Sequence, residues 1–242
     1  MQLLQGDIWL SEILGKPAFS FAYTPELVSL GVNHPGCRLL QTQAKQACLI
    51  YSKIPVHEPK ACGILSALGF QLVDTNILFE KVVNHHASSS KHSRVRSVVP
   101  EDEEAVARIA RHCFTFSRFH LDPHISRDTA DSIKESWVRS FFRSERGEAM
   151  LVAEEDGELA GFVQLLKPAP STLVIDLLGV AERFRRRSIA REMIACTETL
   201  AQLGGTVRVG TQLANVPSLR LYQDLGFRLI EARYVYHLHG PV

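Results

Sequence analysis

The amino-acid sequence predicts an α/β (α+β) fold, in which a mixed, mostly antiparallel central sheet carries helices on its faces and follows a smaller, degenerate half domain. Three observations lead to this prediction. Apolar residues after position 94 change between helical and strand spacing in the order β-α-α-β-β-β-α-β-α-β. A polar, serine-rich segment, VVNHHASSSKHSR at 82–94, separates this part from the preceding one. Finally, the sequence at the end of the second part is repeated in degenerate form near the end of the first part.

The second part begins with the strand RVRSVV and the helix PEDEEAVARIARHCF, whose early acidic residues suit the helix dipole. The apolar residues of that helix have the i, i+3, i+4, i+7 spacing of a buried face: Val106, Ile109, Ala110 and Cys113. After the loop TFSRFHLDP, a second helix is predicted around 126–144. Its apolar stripe consists of Ala130, Ile133, Trp137 and Phe141.

Strands and helices then alternate to the end of the second part. EAMLVAEE and LAGFVQLLK are predicted to form a hairpin around Asp156-Gly157, a dipeptide that favours a tight turn. STLVIDLLGV is continuously apolar, which indicates a strand buried on both faces. A helix at about 187–203 ends at Gly204-Gly205. The strand TVRVGTQ, the short helix NVPSLRLYQDLGF with proline in its first turn, and the strand RLIEARYVYHLH complete the order.

The first part repeats the end of the second in degenerate form. Leu68-Gly69-Phe70 falls on Leu225-Gly226-Phe227, an alternating strand follows in both, and ACLIYSK at 47–53 resembles TVRVGTQ. The position of Tyr222 is occupied by Leu65, so the first copy would lack any chemistry that Tyr222 performs. We therefore predict an N-terminal partial domain at 1–84, a linker at 85–93 and a main domain at 94–242.

Composition and charge argue against several classes of function. The 27 basic and 26 acidic residues give a formal net charge of +1, so no nucleic-acid or membrane partner is expected and any anion site must be local. The five cysteines are odd in number and lack metal-ligand spacing, so we expect no metal and a reducing compartment. The absence of a signal-peptide pattern and of a long apolar run predicts a cytoplasmic location. A homodimer is compatible with these features.

The stretch ERFRRRSIARE, residues 182–192, is the clearest local concentration of positive charge. It lies between a buried strand and a long helix, where unpaired N–H groups and the positive end of the helix dipole favour an anion. Arg185, Arg186 and Arg187 add positive charge, and the small Ser188 and Ala190 let the backbone approach a ligand. This geometry favours a compact pyrophosphate over a duplex. The alternative is a helix that simply begins in solvent.

At this stretch the chain resembles the GCN5-related N-acetyltransferase (GNAT) superfamily, whose acetyl-CoA loop reads Gln/Arg-x-x-Gly-x-Gly/Ala after a strand. Here the loop is Arg185-Arg186-Arg187-Ser188-Ile189-Ala190, with serine in place of the central glycine. The pattern N-x-x-S-x-x-x-Y-x-x-x-G-F at 215–227 is also typical of that family. The resemblance spans 94–239 and implies a GNAT fold, an acetyl-CoA-dependent N-acetyltransferase and a catalytic domain at 94–242. It also implies that the backbone of Leu178, Gly179 and Val180 borders the thioester.

The resemblance assigns catalytic roles to two further residues. Tyr222 would protonate the leaving thiolate, and Asn215 would bind the pantetheine arm or cap the helix; a core tyrosine and a simple cap are the alternatives. Asp176, an acid within an apolar strand, is a candidate general base, because burial can raise a carboxyl pKa. A strand-end aspartate facing solvent or capping a turn is its alternative. His120, His237 and His239 are further candidates for the base, although histidines on a closing strand are more often structural.

The loop at 116–122 is the predicted acceptor site. The loop contains a guanidinium, an aromatic ring and hydrogen-bonding groups, supplied by Arg118, Phe119, His120 and Asp122. The stretch 116–142 resembles the TDP-fucosamine N-acetyltransferases. That resemblance implies a nucleotide-linked amino-deoxy sugar as acceptor, with Arg118 at its diphosphate and Phe119 against a ring. A polar loop with Phe119 in the core is the alternative. Two alternative acceptors also stay open, another small amine and a protein N-terminus. A further alternative is a non-catalytic module that binds acyl-CoA.

Overall fold

The computed structural model describes residues 3–84 and 94–241, which build one ten-stranded sheet with helices on both faces. The predicted linker at 85–93 lies outside the described residues. The first part contains β1 (Leu4–Gly6), α1 (Ile8–Leu14), β2 (Ala18–Phe21), α2 (Pro25–Leu30), α3 (Pro35–Gln43), β3 (Leu49–Pro55), α4 (Pro59–Ala67) and β4 (Gln71–Val82). The second contains β5 (Val95–Ser97), α5 (Glu103–Cys113), α6 (Arg127–Phe142), β6 (Ala149–Glu155), β7 (Glu158–Ala169), β8 (Thr172–Val180), α7 (Ile189–Ala201), β9 (Thr206–Gln212), α8 (Val216–Asp224) and β10 (Arg228–His239).

The order of elements after β5 is the one that the apolar spacing predicts. The β6–β7 hairpin turns at Asp156 and Gly157, which both have positive φ (54° and 78°), as a tight two-residue turn requires. Helix α7 begins two residues later than expected, at Ile189, because Ser188 has a left-handed backbone (φ 62°) and cannot continue the helix. The prediction of a mixed, mostly antiparallel sheet is confirmed.

The two parts of the chain exchange strands. The order in the sheet is β1-β2-β3-β10-β4-β9-β8-β7-β6-β5, so β10 lies between β3 and β4, and β4 lies between β10 and β9. Leu49 of β3 pairs with His239 of β10, and Thr206 of β9 pairs with Val82 of β4. Thr206 lies 157 positions after Leu49, and His239 likewise lies 157 positions after Val82. The whole β3–β10 ladder therefore repeats the β9–β4 ladder in the same register.

The central β4–β10 pair carries the axis of this internal symmetry. Arg233 pairs with Asn76, and these positions are also 157 apart. Each strand has one bulged residue, Val73 in β4 and Ile230 in β10, at equivalent places. The repeat suggested by the LGF motif thus extends to the strand pairing and the bulges. Because β10 fills a position among the strands of the first part, neither part forms a complete sheet by itself.

Helices cover each face of the sheet over separate cores. On one face, the first part buries residues of α3, α4 and β3, including Leu40, Leu65 and Ile54, while the second buries Met193 and Ile194 of α7. On the opposite face, α5 and α6 cover Phe162 and Leu177. No helix among residues 3–84 and 94–241 is long and apolar enough to cross a membrane.

Candidate active site

A gap between β8 and β9 forms the base of the candidate site. These parallel strands pair from Thr172–Thr206 to Ile175–Val209 and then separate, while β8 stays paired with β7 as far as Val180. The Ala181 N–H donates to the Ala160 carbonyl oxygen on the β7 side (2.8 Å). Successive strand residues point their amides to opposite edges, so the Val180 and Leu178 amides face the gap. They are available to an oxygen atom of a ligand.

A cleft of about 610 Å³ opens over this gap. Nine of the eleven predicted cofactor-binding residues line it: Leu178, Gly179, Val180, Arg185, Arg186, Ser188, Ile189, Ala190 and Asn215. Arg187 and Tyr222 do not. The opposite wall comes from the end of α5 and the following loop, residues 113–117, and from Gln212 at the end of β9. The predicted acceptor loop at 116–122 includes Phe116 and Ser117 of this wall, whereas sequence reasoning missed residues 113–115 and Gln212. Gln212 is the last residue of a predicted strand, where ligand contacts concentrate.

The backbone at the entrance to α7 forms a site for an anion. Arg186 and Ser188 both have positive φ (63° and 62°), and Ser188 is the N-cap of α7 without a capping hydrogen bond from its side chain. The first N–H groups of α7, beginning at Ile189, have no partner within the helix and lie at the positive end of its dipole. Ser188 thus adopts the left-handed conformation that glycine favours, so the loop keeps its shape despite the substitution.

Most arginine side chains of the 182–192 stretch bind other parts of the protein. The contacts are Arg183 with Glu158, Arg187 with Asp156 (3.0 Å), Arg191 with Asp224 (2.9 Å), and Arg185 with the Cys113 carbonyl oxygen (2.9 Å). Within the described ranges, Arg186 is the exception, with no side-chain hydrogen bond or ion pair, and it lines the cleft. The backbone therefore provides most of the anion site, and Arg186 is the side chain free to join it.

Asn215 and Tyr222 lie on the helix that borders the cleft. Asn215 caps α8 by accepting the Ser218 amide (3.3 Å), and it also lines the cleft. Tyr222 is 4% exposed and packs between Phe79 and Phe227, with ring centroids 5.9 and 5.7 Å away. Burial raises the pKa of its hydroxyl. Tyr222 lies one helical turn beyond Ser218, which lines the cleft, but Tyr222 itself is not part of the cleft's surface.

Asp176 occupies the bulge of β8 opposite β7. Its carboxylate accepts two hydrogen bonds from Arg146 (2.7 Å each), one from the Trp137 indole (2.8 Å) and one from Gln164 (3.3 Å). The Arg146 side chain is 41% exposed, whereas that of Asp176 is 8% exposed. Asp176 is therefore neither solvent-facing nor a turn cap, and it lies in a buried polar cluster beneath α6.

Arg118 and Phe119 lie where the α5–α6 loop meets the first part of the chain. Phe119 is 1% exposed and belongs to a core that includes Leu10 of α1 and Ile133 of α6. The Arg118 guanidinium lies over the rings of Tyr51 and Phe119, 3.9 and 4.5 Å from their centroids. Phe119 thus occupies the core, the alternative left open above, whereas Arg118 is held over β3.

His120 and Asp122 are engaged in separate hydrogen-bond networks. His120 contacts Ser117 (2.5 Å) and Asp131 (2.9 Å). Asp122 accepts hydrogen bonds from the ring N–H groups of His237 (2.5 Å) and His239 (2.7 Å). The possible ligand atoms of Asp122, His237 and His239 lie within 4.8 Å of one another, a proximity that these hydrogen bonds account for. The 610 Å³ cleft is lined by none of the four predicted acceptor-site residues, Arg118, Phe119, His120 and Asp122.

Lys134 of α6 is a second residue that the sequence analysis missed. It is 7% exposed, and its ammonium lies 4.9 Å from the Phe114 ring centroid and 4.7 Å from that of Trp137. Burial lowers the pKa of the Lys134 ammonium to about 8, although the negative charge of Asp176 raises it. Only its place on the helix bearing the Ala130–Phe141 stripe could have indicated this burial.

The first part repeats the parallel pairing of β8 and β9. β2 and β3 pair from Ala18–Leu49 to Ser20–Tyr51, as β8 and β9 do at the corresponding positions. The next position, Phe21 beside Ser52, corresponds to Ile175–Val209, the last pair of β8 and β9. There the buried Ser52 hydroxyl donates a hydrogen bond to the Phe21 carbonyl oxygen (2.8 Å). The first part therefore keeps the strand arrangement of the second up to the point where β8 and β9 separate.

Comparisons with known proteins are consistent with this geometry. A family model described as the acetyltransferase (GNAT) family matches residues 103–227. The spore coat polysaccharide biosynthesis protein SpsD of Bacillus subtilis (strain 168) is 37% identical over 141 residues, which cover 57% of this chain and 48% of that protein. The N-acetyltransferase YvbK of the same organism is 34% identical over 87 residues, 35% of this chain and 56% of that one. The chain thus spans about half the length of the curated relatives it matches.

Solved structures share the fold at low sequence identity. A conserved protein of unknown function from Staphylococcus epidermidis ATCC 12228 superposes with a TM-score of 0.69 at 15% identity, covering 100% of this chain and 92% of that one. A GCN5-related N-acetyltransferase from Sphaerobacter thermophilus gives 0.63 at 13%, covering 99% and 76%. A tandem GNAT protein from the clavulanic acid biosynthesis pathway gives 0.59 at 15%, covering 94% and 77%. These likenesses extend over both parts of the chain.

Proposed function

Since the chain belongs to the acetyltransferase (GNAT) family, we propose that it transfers the acetyl group of acetyl-CoA to the amino group of a nucleotide-linked amino-deoxy sugar. Family membership confirms the predicted resemblance and the predicted enzyme class, an N-acetyltransferase of the acyltransferase class. The acceptor and the individual site residues are proposals.

The observation that carries the proposal is the coincidence of the β8–β9 gap with the anion site of α7 in one cleft. The unpaired amides from Ile189 onward and the free side chain of Arg186 would bind the pyrophosphate of acetyl-CoA. The pantetheine arm would then follow the gap, bound by the backbone of Leu178, Gly179 and Val180 on one side and by Asn215 on the other. This path leads the thioester towards the inner end of the cleft.

The proposed chemistry at that end is direct attack of a neutral amine on the thioester carbonyl. As the new C–N bond forms, negative charge develops on the carbonyl oxygen, and the Val180 N–H is oriented to stabilise it. When the C–S bond breaks, Tyr222 would give its proton to the leaving thiolate. Burial keeps Tyr222 protonated before this step, as a general acid requires.

The amine must lose a proton before or during its attack, because an ammonium has no lone pair. We propose Asp176 as the group that accepts this proton, through a water molecule or directly. In the present arrangement Arg146 holds its carboxylate, so direct acceptance requires Arg146 to turn away. Its exposed side chain has the freedom to do so.

The proposal of a sugar acceptor is supported by a relative and by the first part of the chain. SpsD is named for spore coat polysaccharide biosynthesis, and a polysaccharide is made of sugars. The lining of the cofactor cleft comes from residues of the predicted second part, 94–242, and from none of the described residues of the first part, 1–84. We propose that the first part binds the acceptor, whereas catalysis belongs to the second.

The test is thiol release from acetyl-CoA against a panel of amines, using the full chain. The panel contains a TDP-linked 4-amino-4,6-dideoxyhexose, the same sugar without its nucleotide, a polyamine and a peptide with a free amino terminus. We expect kcat/KM to be highest for the TDP-linked sugar. Equal kcat/KM for the free and nucleotide-linked sugars would contradict the proposed acceptor, and no release with any amine would contradict the activity.

A further inference from the structure

Polar side chains lie in a band on one face of the four central strands, around the buried Val235. Residues directly opposite each other in antiparallel strands share a face, and Lys53 lies opposite Val235, which lies opposite Asp74. Arg233 likewise lies opposite Asn76, which lies opposite Gln212. Gln212 lines the cofactor cleft. The band therefore leads from that cleft, across the symmetry axis, to β3 of the first part.

Positive charge gathers at the far end of this band. Lys53 and Arg233 are both exposed and are diagonal neighbours on β3 and β10. Partial burial lowers the pKa of Lys53 to about 8, and the nearby Arg118 and Arg233 lower it further. Asp74 and Glu231 are the acidic residues that oppose this effect, and Arg233 donates to Glu231 (2.5 Å). Asp7 and Asp74 are the carboxylates that act on Arg118, so three cations lie among three carboxylates, and Lys53 and Arg233 present exposed positive charges.

Two unpartnered polar atoms lie in the same cluster. Within 3–84 and 94–241, five buried side-chain nitrogen or oxygen atoms lack a hydrogen-bond partner, and two belong to this cluster, Asp74 Oδ2 and Arg118 Nη1. Asp74 is 8% exposed. Buried polar groups normally have partners because leaving them unpaired is costly. An unpaired guanidinium donor and an unpaired carboxylate acceptor, beside the exposed cations of Lys53 and Arg233, are features of a site for a polar anion.

We propose that Lys53, Arg118 and Arg233, together with Asp74, bind the nucleoside diphosphate portion of the acceptor. This inference rests on the function proposed above. Lys53 and Arg233 would contact phosphate oxygens, Arg118 Nη1 would donate to the same group, and Asp74 Oδ2 would accept a hydrogen bond from the nucleoside. Two strand spacings, roughly 10 Å, separate Gln212 on β9 from Arg233 on β10. That distance suits a sugar ring whose amine reaches the cleft while its phosphates reach Arg233.

The site would make the first part a specificity element. Lys53 and Asp74 belong to the first part of the chain, and Arg118 and Arg233 to the second. The strand exchange brings these two pairs onto one surface, because β10 carries Arg233 between β3 and β4. An amine without phosphates would reach the thioester but would gain nothing from this surface.

The first experiment measures binding of TDP to the full chain by calorimetry, with Lys53→Gln and Arg233→Gln as variants. Both side chains are exposed, so we expect folded proteins. Loss of one charge-assisted contact should weaken TDP binding about 10-fold or more. Lys60→Gln, which removes an exposed lysine from α4, should bind like the unmodified protein. Unchanged affinity in both site variants, or no TDP binding to the unmodified protein, would overturn the inference.

The second experiment separates this inference from the proposed function. With the TDP-linked amino sugar, Lys53→Gln should raise KM for that sugar about 10-fold and leave KM for acetyl-CoA and kcat nearly unchanged. If TDP binds at this site but thiol is released with no amine, the proposed function fails and the binding site stands. If an amine is acetylated but TDP does not bind, the activity stands and the binding site fails.

Discussion

Replacing Ser188 with aspartate tests whether the entrance to α7 binds the pyrophosphate of acetyl-CoA. Ser188 is exposed on the cleft and precedes the unpaired amides of α7. At an effective dielectric constant of about 20, two like charges about 5 Å apart repel each other by roughly 3 kcal/mol. Screening at an exposed position reduces this repulsion to roughly 1–2 kcal/mol. We therefore expect Kd for acetyl-CoA to rise about 5- to 30-fold.

Ser188→Asn is the matched control, because asparagine has nearly the shape of aspartate, carries no charge and tolerates a left-handed backbone. Calorimetric titration of both variants with acetyl-CoA, at low and high salt, gives the comparison. The difference between the variants should shrink as salt rises. Equal affinity of the folded aspartate and asparagine variants at low salt would refute the placement of the pyrophosphate at residues 186–190.

Three further substitutions have defined outcomes. Tyr222→Phe should lower kcat roughly 10²- to 10⁴-fold and leave Kd for acetyl-CoA unchanged. Tyr236 is a buried tyrosine of β10 in the core of the first part, and Tyr236→Phe, the control, should leave kcat unchanged. A loss below about 5-fold for Tyr222→Phe would make Tyr222 a packing residue only. Asp176→Asn should lower kcat about 10²-fold or more, and a loss below about 5-fold would contradict its role as base. Burial lowers the pKa of His237 from 6.5 to about 4, although its hydrogen bond to Asp122 acts in the opposite direction. Between pH 4 and pH 6.5 the unfolded state therefore binds more protons than the folded state. The free energy of unfolding therefore has its full value above pH 6.5 and falls by up to roughly 3 kcal/mol as the pH is lowered to 4. Urea unfolding at pH 7.5 and 4.5 should show a smaller pH effect in His237→Asn, which retains a donor to the carboxylate, and an equal effect would contradict this assignment.

The sequence predicted the helices and strands better than it predicted which strands pair with each other. Apolar spacing is local, so it identifies α5 from Val106 and Ile109, and it identifies the buried strand β8. The partner of a strand depends on residues far away in the chain, and β4 and β10 carry similar alternating patterns. Nothing local distinguishes a β10 that pairs with β9 from one that crosses to β3. The repeat of Leu68-Gly69-Phe70 and the resemblance of the strand at 47–53 to TVRVGTQ were the signals of this relation, and they indicated a copy without indicating the exchange.

The candidate site was predictable where it depends on backbone and motif. The loop 185–190 could be placed between a strand and a helix from sequence alone, and the structure puts nearly all of it in the cleft. The roles of single side chains were harder to predict, because they depend on partners from other elements. Asp176 is held by Arg146, and Phe119 lies in a core shared with α1. Lys53 and Arg233 carry no motif, and only the strand register brings them together.

The exchange of strands also determines when this protein can complete its sheet during synthesis. β3 and β4 leave the ribosome early, but the position between them belongs to β10, which follows every helix and strand of the second part. Until β10 arrives, β3 and β4 present unpaired edges, which are prone to pair with other chains. We expect ribosome-bound chains that lack β10 to depend on chaperones and to be sensitive to proteases in β3 and β4. Release of the finished chain should then protect both strands together.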